Sequence, residues 1–244
     1  MTPQQEQSKF RSAKPSKLGR GIERLTNPFG KAMASVVPDA LVEGLLKAID
    51  KAAGLPALVR FDHDMADLAA CRAAARKVER AAKAINGATG AASGFGGAIS
   101  MGLDIPATFA IALRNIRDTG RAYGYDGAGE AEALFRLQIL ELASLADPEQ
   151  RAERIAALDA AIAPDGSLRP LPENGAPLVD AAVERISRAI ALKSFRSKAG
   201  MIVPVVGSAI GAVVNAAFQD DVAAAARFAY QQRRLVAGAE TPAA

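Results

Sequence analysis

The residue types that could do chemistry are few and poorly spaced for it. Asp62, His63, Asp64 and Asp67 place the single His of the chain among carboxylates. Neighbouring residues on a helix point in different directions, so these side chains do not converge on one metal ion. Acids there suit a helix N-terminus instead. Gly87-Ala88-Thr89-Gly90 and Gly94-Phe95-Gly96-Gly97 have the glycine density of phosphate loops. No strand precedes them and no Gly-Lys-Ser/Thr follows, which excludes a P-loop and a dinucleotide fingerprint. In Gly207-Ser208-Ala209-Ile210-Gly211 the Ser falls in the wrong place for a nucleophile elbow, and the His is far away in sequence. Cys71 lies on an apolar seam and reads as core filling. Four polar landmarks remain, Asp104, Tyr123, Asp126 and Lys198. They would have to meet in space to support catalysis. No catalytic constellation, metal centre or cofactor is expected.

Composition sets similar limits. The chain has 244 residues, 50% hydrophobic but only 5% aromatic, with one Cys and no Trp. One Cys excludes a disulfide framework, and one His excludes a multi-His metal centre. Of the net charge of +4, residues 1–31 alone supply +5, through Lys9, Arg11, Lys14, Lys17, Arg20, Arg24 and Lys31 against Glu6 and Glu23. Residues 1–36 therefore read as a disordered basic arm that could attract an anionic membrane surface. Zinc-finger spacing and RNP aromatics are missing, so no sequence-specific nucleic-acid partner is expected. The first 30 residues hold no apolar core of roughly 7–15 residues. A cytoplasmic location with a reduced Cys71 is the expectation.

The elements that must carry these residues are helical, since no segment alternates with period two. The expected architecture is all-α: one bundle of about eight helices over residues 37–238, with a disordered tail at 239–244. Pro38-Asp39 opens a helix that Gly54 ends. A second starts near Asp62–Asp67. Its Leu68, Cys71, Ala75, Val78, Ala82 and Ile85 form a heptad-like seam, with a basic stripe of Arg72, Arg76, Arg80 and Lys83 beside it. Asp104-Ile105-Pro106 reads as the start of another helix, with Asp104 as N-cap and Arg114, Arg117 and Arg121 along one side. Tyr123-Gly124-Tyr125-Asp126 ends it, Gly124 serving as C-cap. Residues 129–146 are apolar around most of their circumference and belong at the centre. Asp147-Pro148 opens a helix with Ile155, Leu158 and Ile162 inward. Residues 164–177 form a Pro-rich surface loop. Helices over 177–198 and 222–238 follow, and Asp220-Asp221 closes the charge-free piece before the last one.

Two uncharged stretches, 84–103 and 199–219, are the most informative feature. Each follows a Lys, Lys83 or Lys198, and each precedes an Asp, Asp104 or Asp220. The 21 residues from Ala199 to Gln219 would cross a bilayer core of about 30 Å if wholly helical. Gly207 and Gly211 make a small-xxx-small contact motif, while Pro204, Ser208 and Asn215 argue against a lone span. Gly90 and Gly94 mark close backbone approach or a bend in the other stretch. Three readings stay open: buried small-residue helices, membrane-inserting hairpins, or a ligand-cradling loop.

A set of landmarks in a fixed order resembles the EcsC protein family over residues 40–236. They are the Gly-rich run, Asp104-x-Pro106, Tyr123-Gly124-Tyr125-Asp126 with Glu130, Lys198, Pro204-x-x-Gly207-x-x-x-Gly211, Asn215 and Tyr230-x-x-Arg233-Arg234-Leu235. The arm and the Pro-rich loop lie outside the resemblance. It implies a helical, membrane-associated protein linked to an ABC-transport system, and it carries over no catalytic residue. The expected function is that of a non-enzymatic, cytoplasm-facing accessory protein, peripheral to or partly inserted in the inner membrane. Its basic stripes and apolar Gly-rich helices would engage an anionic membrane surface or a membrane protein. The alternative is a soluble helical scaffold or a module binding an apolar ligand.

Overall fold

Alanine-rich segments broken by Gly and Pro favour helix over strand, and long helices make up the fold. The computed structural model describes residues 1–13, 52, 54–93, 97–145, 147–171, 181–185 and 204–239; for 86–93, 97–108, 204–216 and 239 it describes the backbone alone. The helices are α1 (Pro3–Ser12), α2 (Leu68–Ser93), α3 (Gly97–Ala122), α4 (Glu130–Ser144), α5 (Pro148–Ala161) and α6 (Pro204–Ala239), with a further helical stretch at 181–185. Among the described residues there is no strand, only an isolated bridge between Ile162 and Leu168. The all-α expectation holds.

Helix α6 is the hub. It packs on every other numbered helix, and α2, α3 and α6 pack mutually. Two ion pairs set the α2–α6 register: Glu79 with Arg227, and Lys83 with Asp220 at 2.7 Å. The numbers rise on α2 as they fall on α6, so the two run antiparallel. Phe109 meets Phe218 edge-on at 6.1 Å, and Asn115 donates to Gln219 at 3.4 Å. Helix α3 therefore runs parallel to α6. The core that results is built of small and aliphatic side chains. Cys71, Ala75, Val78 and Ala82 of the expected seam are fully buried, as are Ile139, Leu140 and Leu142 of α4. Ile85 departs from the seam and is 37% exposed.

Local capping chemistry placed several helix ends as expected. Asp67 caps α2 through its bond from Ala69 N–H, and Asp147 caps α5 by accepting from the Glu149 and Gln150 amides. After α3, Gly124 takes φ +85, the Gly124 amide bonds the Arg121 carbonyl and the Tyr125 amide bonds the Gly120 carbonyl. That paired pattern is a complete Schellman cap, which needs a left-handed residue at Gly124.

Three expectations are corrected. Asp104-Pro106 does not start a helix: α3 begins at Gly97 and runs through it. Pro106 removes the hydrogen bond to the residue 102 carbonyl, a loss of about 3 kcal/mol in an isolated helix, so packing on α2 and α6 must outweigh it. Asp220-Asp221 does not end a helix either, because α6 is continuous from Pro204 to Ala239. The Lys83 ammonium compensates Asp220 across the α2–α6 seam.

The third correction concerns the arm. Residues 3–12 form α1, opened by a capping box in which Thr2 and Gln5 exchange hydrogen bonds. Gln7 is 6% exposed and its amide donates to the Phe228 carbonyl at 3.0 Å and to Gln231 at 2.9 Å. Phe10 stacks on Phe228 at 4.4 Å, with the Arg151 guanidinium 4.3 Å above the Phe10 ring. Glu6 pairs with Arg72, and Arg11 with Asp159. A helix this short is marginal alone; these contacts hold it. The rest of the expected arm, 14–36, lies outside the described residues. So do most of the expected 38–54 and 177–198 helices and the tail beyond residue 239.

Removing the Gln7 amide tests the docked state of α1. Gln7→Ala leaves the Gln231 side chain underused in a buried place and should cost about 1–2 kcal/mol in urea unfolding. It should also speed proteolytic cleavage within residues 1–13. An unchanged unfolding midpoint and cleavage rate would mean that α1 is not held as described.

Candidate functional site

The polar groups of the bundle are gathered at its two ends in opposite ways, and each end is a candidate site. At the first, the C-terminal part of α6 meets the turn after α3, the start of α4 and the loop after α5. Arg233 is 3% exposed. Its Nη1 donates to Glu132 Oε1 at 2.8 Å and its Nε to the Gly166 carbonyl at 2.8 Å. Its guanidinium lies 3.8 Å from the Tyr125 ring centroid, a cation–π stack in a desolvated place. Tyr125 in turn stacks on Tyr230 at 6.0 Å, and Phe135 meets Tyr230 edge-on at 5.6 Å. Arg136 donates to the Gly127 carbonyl at 2.6 Å.

Glycines admit this close approach. A Cβ on Gly120 would lie 2.7 Å from the Tyr230 ring. Gly166 has φ +79, and a Cβ there would lie 2.7 Å from the Arg233 carbonyl oxygen and 2.9 Å from the Tyr125 hydroxyl. The Ala163-to-Ser167 turn that presents Gly166 belongs to the expected Pro-rich loop, so part of that loop is packed onto α6.

The chemistry available here is holding, not turnover. Burial pushes all three tyrosines up, Tyr230 to about 12, with Tyr123 raised further and Tyr125 less buried. They stay neutral over the physiological range. Burial also pushes up the Cys71 thiol, whose Sγ faces the Met65 carbonyl at 3.5 Å, so it is poorly suited to act as a nucleophile. His63 Nε2 lies 2.9 Å from the Ala122 carbonyl. Among the described residues no group of three metal-ligating side chains occurs.

The cationic stripes expected to face outward are mostly engaged inside the molecule. Arg117 is buried, donating to Asp118 at 2.9 Å and to the Ala52 carbonyl at 2.8 Å. Asp118, fully buried, also accepts from the Leu58 amide at 2.6 Å. Arg114 donates to the Pro56 carbonyl at 2.8 Å, and Arg121 pairs with Asp126 at 2.7 Å. These three arginines fasten residues 52–58 and the turn after α3; they do not form a membrane-facing stripe. On α2, Arg72 and Lys83 are paired with Glu6 and Asp220. Arg76, Lys77 and Arg80 are exposed.

The second site is the opposite end. Beyond the Lys83–Asp220 pair, α2 continues through residues 84–93, α3 returns from Gly97, and α6 occupies 204–219. Residues 84–93, 97–103 and 204–219 carry no charge, and Asp104 of α3 is the one charged residue that the register sets beyond the pair among the described residues. The antiparallel register puts all three at the same end of the bundle, although 84–103 and 199–219 lie far apart in sequence. The same register sets Gly90 of α2 within about one turn of Gly211 of α6.

Of the expected polar landmarks, the three among the described residues lie apart. Tyr123 is buried and Asp126 is tied to Arg121. Asp104 sits 19 residues before Tyr123 along the chain, about 28 Å at helical rise. Lys198 and Gly94 lie outside the described residues, while Gly90, Gly207 and Gly211 are helical. Sequence reasoning missed Arg233–Glu132 and the α1 contacts. Thr2-x-x-Gln5 was a readable capping box, but nothing local signals that Glu132 and Arg233 are partners.

Comparison with known proteins places the chain in a family. The pattern of the EcsC protein family matches residues 4–235, so it takes in most of α1 and the Pro-rich loop that the shorter resemblance left out. The chain is also 38% identical over 55 residues to YdbA, an uncharacterized protein of Bacillus subtilis (strain 168); the match covers 22% of this chain and 20% of that protein. It thus spans about a fifth of that relative's length. No solved structure matches.

Two outcomes check the Arg233 centre. Arg233→Ala leaves Glu132 buried without its cation and should cost about 3–5 kcal/mol in urea unfolding, whereas Arg233→Met combined with Glu132→Met should recover much of that loss. The raised tyrosine values stabilise the fold fully below about pH 10, the unfolded value. That contribution falls as pH climbs from there towards about 12, the Tyr230 value. Phenolate absorbance should therefore lag behind that of the unfolded chain and rise together with loss of helical circular dichroism. Ionisation near pH 10 with the helices intact would contradict the buried placement.

Proposed function

The chain belongs to the EcsC protein family, and we propose that it is a non-enzymatic, peripheral membrane protein that sets the uncharged end of its α2–α3–α6 bundle into one leaflet of a bilayer. The observation that carries this reading is the co-location, beyond Lys83–Asp220, of the uncharged stretches 84–93, 97–103 and 204–219, with Asp104 as the single charged residue at that end among the described residues. Charged side chains are expensive in hydrocarbon, so their near-exclusion from one end of a bundle suits that end to lipid. The dimensions agree. Residues 84–93 extend about 15 Å and residues 204–219 about 24 Å at helical rise, against a hydrocarbon core of about 30 Å. Among the described residues no helix is long and apolar enough to cross a membrane. The bundle would therefore dip into the near leaflet rather than span. Such a protein, on the cytoplasmic face of the inner membrane, is placed to act on a membrane partner, with an ABC-transport system as the one the family resemblance implies.

Flotation of the full-length protein with phospholipid vesicles tests the reading. The protein should rise with vesicles at physiological salt. Photoactivatable lipid should label peptides within 84–103 and 204–219 and spare α4 and α5. Recovery wholly in the soluble fraction, or labelling spread evenly over the chain, would overturn it. Co-purification of a defined apolar molecule with no vesicle binding would favour the ligand-binding module instead.

A further inference from the structure

We infer that the exposed face of α2 formed by Arg76, Lys77 and Arg80 is a docking surface for anionic phospholipid headgroups, and that it fixes the orientation and lipid preference of the protein on a bilayer. This rests on the membrane reading above. Most described cations near it are engaged: Arg72 by Glu6, Lys83 by Asp220, Arg227 by Glu79, and Arg114, Arg117 and Arg121 around residues 52–58 and Asp126. Arg76 reaches one carboxylate, Glu6, at 3.5 Å, and its side chain stays 62% exposed. The Arg80 Nε donates to the Arg76 carbonyl, which leaves its charge facing water. Ala69, Ala73, Arg76, Lys77, Arg80 and Ala84 make a continuous exposed stripe along the helix, as spacings of three and four residues require.

The level of these cations matches the headgroup layer. Arg80 lies three residues and Lys77 six residues below Lys83, where the uncharged end begins. At helical rise these are about 4.5 Å and 9 Å. A leaflet's polar layer is about 5–8 Å thick, from a total of about 40–45 Å around a core of about 30 Å. Long basic side chains can adjust over the remainder by snorkelling. Just above the boundary, Ile85 is exposed, one of two large hydrophobic residues that are so among the described residues. An exposed cation cluster with an exposed Ile one turn nearer the uncharged end is the order of groups that a lipid interface presents: phosphate outside, hydrocarbon inside. The three cations lie on one helix face in one described segment, with Ile85 on the flank nearer the seam, so the surface needs no conformational change to act.

The partner is thus a bilayer whose surface carries phosphate with net negative charge. The test compares full-length wild type with two variants of equal net charge. Arg76→Gln/Lys77→Gln/Arg80→Gln removes the surface, and Lys9→Gln/Arg60→Gln/Arg169→Gln removes three exposed cations elsewhere. Flotation uses vesicles of phosphatidylcholine with and without phosphatidylglycerol, with circular dichroism confirming that each variant is folded. Each cation at an anionic surface contributes about fivefold in partitioning, so the first variant should bind phosphatidylglycerol vesicles about 100-fold more weakly. The second should stay close to wild type. Wild-type binding should fall with salt. Equal weakening of both variants, or none in the first, would overturn the headgroup surface while leaving membrane docking in place. Absence of wild-type binding to any vesicle would overturn both. Retention of a double-stranded oligonucleotide that only the first variant loses, with vesicle binding unchanged, would assign the surface to nucleic acid and overturn the lipid assignment.

Discussion

The guanidinium of Arg233 is the interaction on which one end of this bundle depends. A single buried cation on α6 holds the start of α4 through Glu132, the loop after α5 through the Gly166 carbonyl and the turn after α3 through the Tyr125 ring. Few other groups could do this. Five donors in a rigid plane can serve a carboxylate and a carbonyl at once while the face of the plane stacks on an aromatic ring. The arrangement also explains two glycines. Gly120 and Gly166 are where side chains would collide with Tyr230 and the α6 backbone. A buried ion pair adds little net stability over well-packed apolar residues. Its value here is geometric, because only one docking of α4 and the 163–167 turn satisfies Arg233.

The other end is organised by the lack of charge. Many cations of this basic chain are consumed in fastening its own parts. Arg117 binds the segment at 52–58, Arg72 holds α1, and Arg154 and Arg185 share Glu141, linking α5 and the 181–185 stretch to α4. A basic isoelectric point is therefore a poor guide to what faces outward. The distribution along the bundle axis is more telling: ion pairs from α1 to the Lys83–Asp220 level, then Asp104 as the single charged residue among the described stretches of three helices. Two segments separated by about half of the chain become one chemical surface because α2 and α6 run antiparallel while α3 returns beside them.

The sequence was misread where local and tertiary effects compete. Residues 1–36 read as a basic arm because they lack apolar periodicity and carry Pro3, Pro15 and Pro28, and a helix as short as α1 is indeed marginal in isolation. Packing of Phe10 and Gln7 on α6 reverses it. Asp104-Pro106 and Asp220-Asp221 carry start and stop chemistry, yet α3 and α6 run through both. A helix packed against two neighbours tolerates a proline or a pair of carboxylates that would end an isolated one. Two of the candidate landmarks serve the fold for a related reason. Tyr123 and Asp126 were singled out as scarce polar groups, and the structure uses them for packing and for Arg121.

The sequence by itself determined the helical class, the buried seam Cys71–Ala75–Val78–Ala82, the caps at Asp67, Gly124 and Asp147, and the two stretches empty of charge. These are local or periodic properties, written within one or two turns of chain. Only the tertiary structure decided which cations are paired, that α1 docks, that Arg233 finds Glu132, and that both uncharged stretches share one end. Most of those outcomes depend on pairings across about 65 to 225 residues of chain, between residues whose types suit many partners. A guanidinium can pair with any carboxylate; the packing of the helices, set by volume and register, chooses which one it meets.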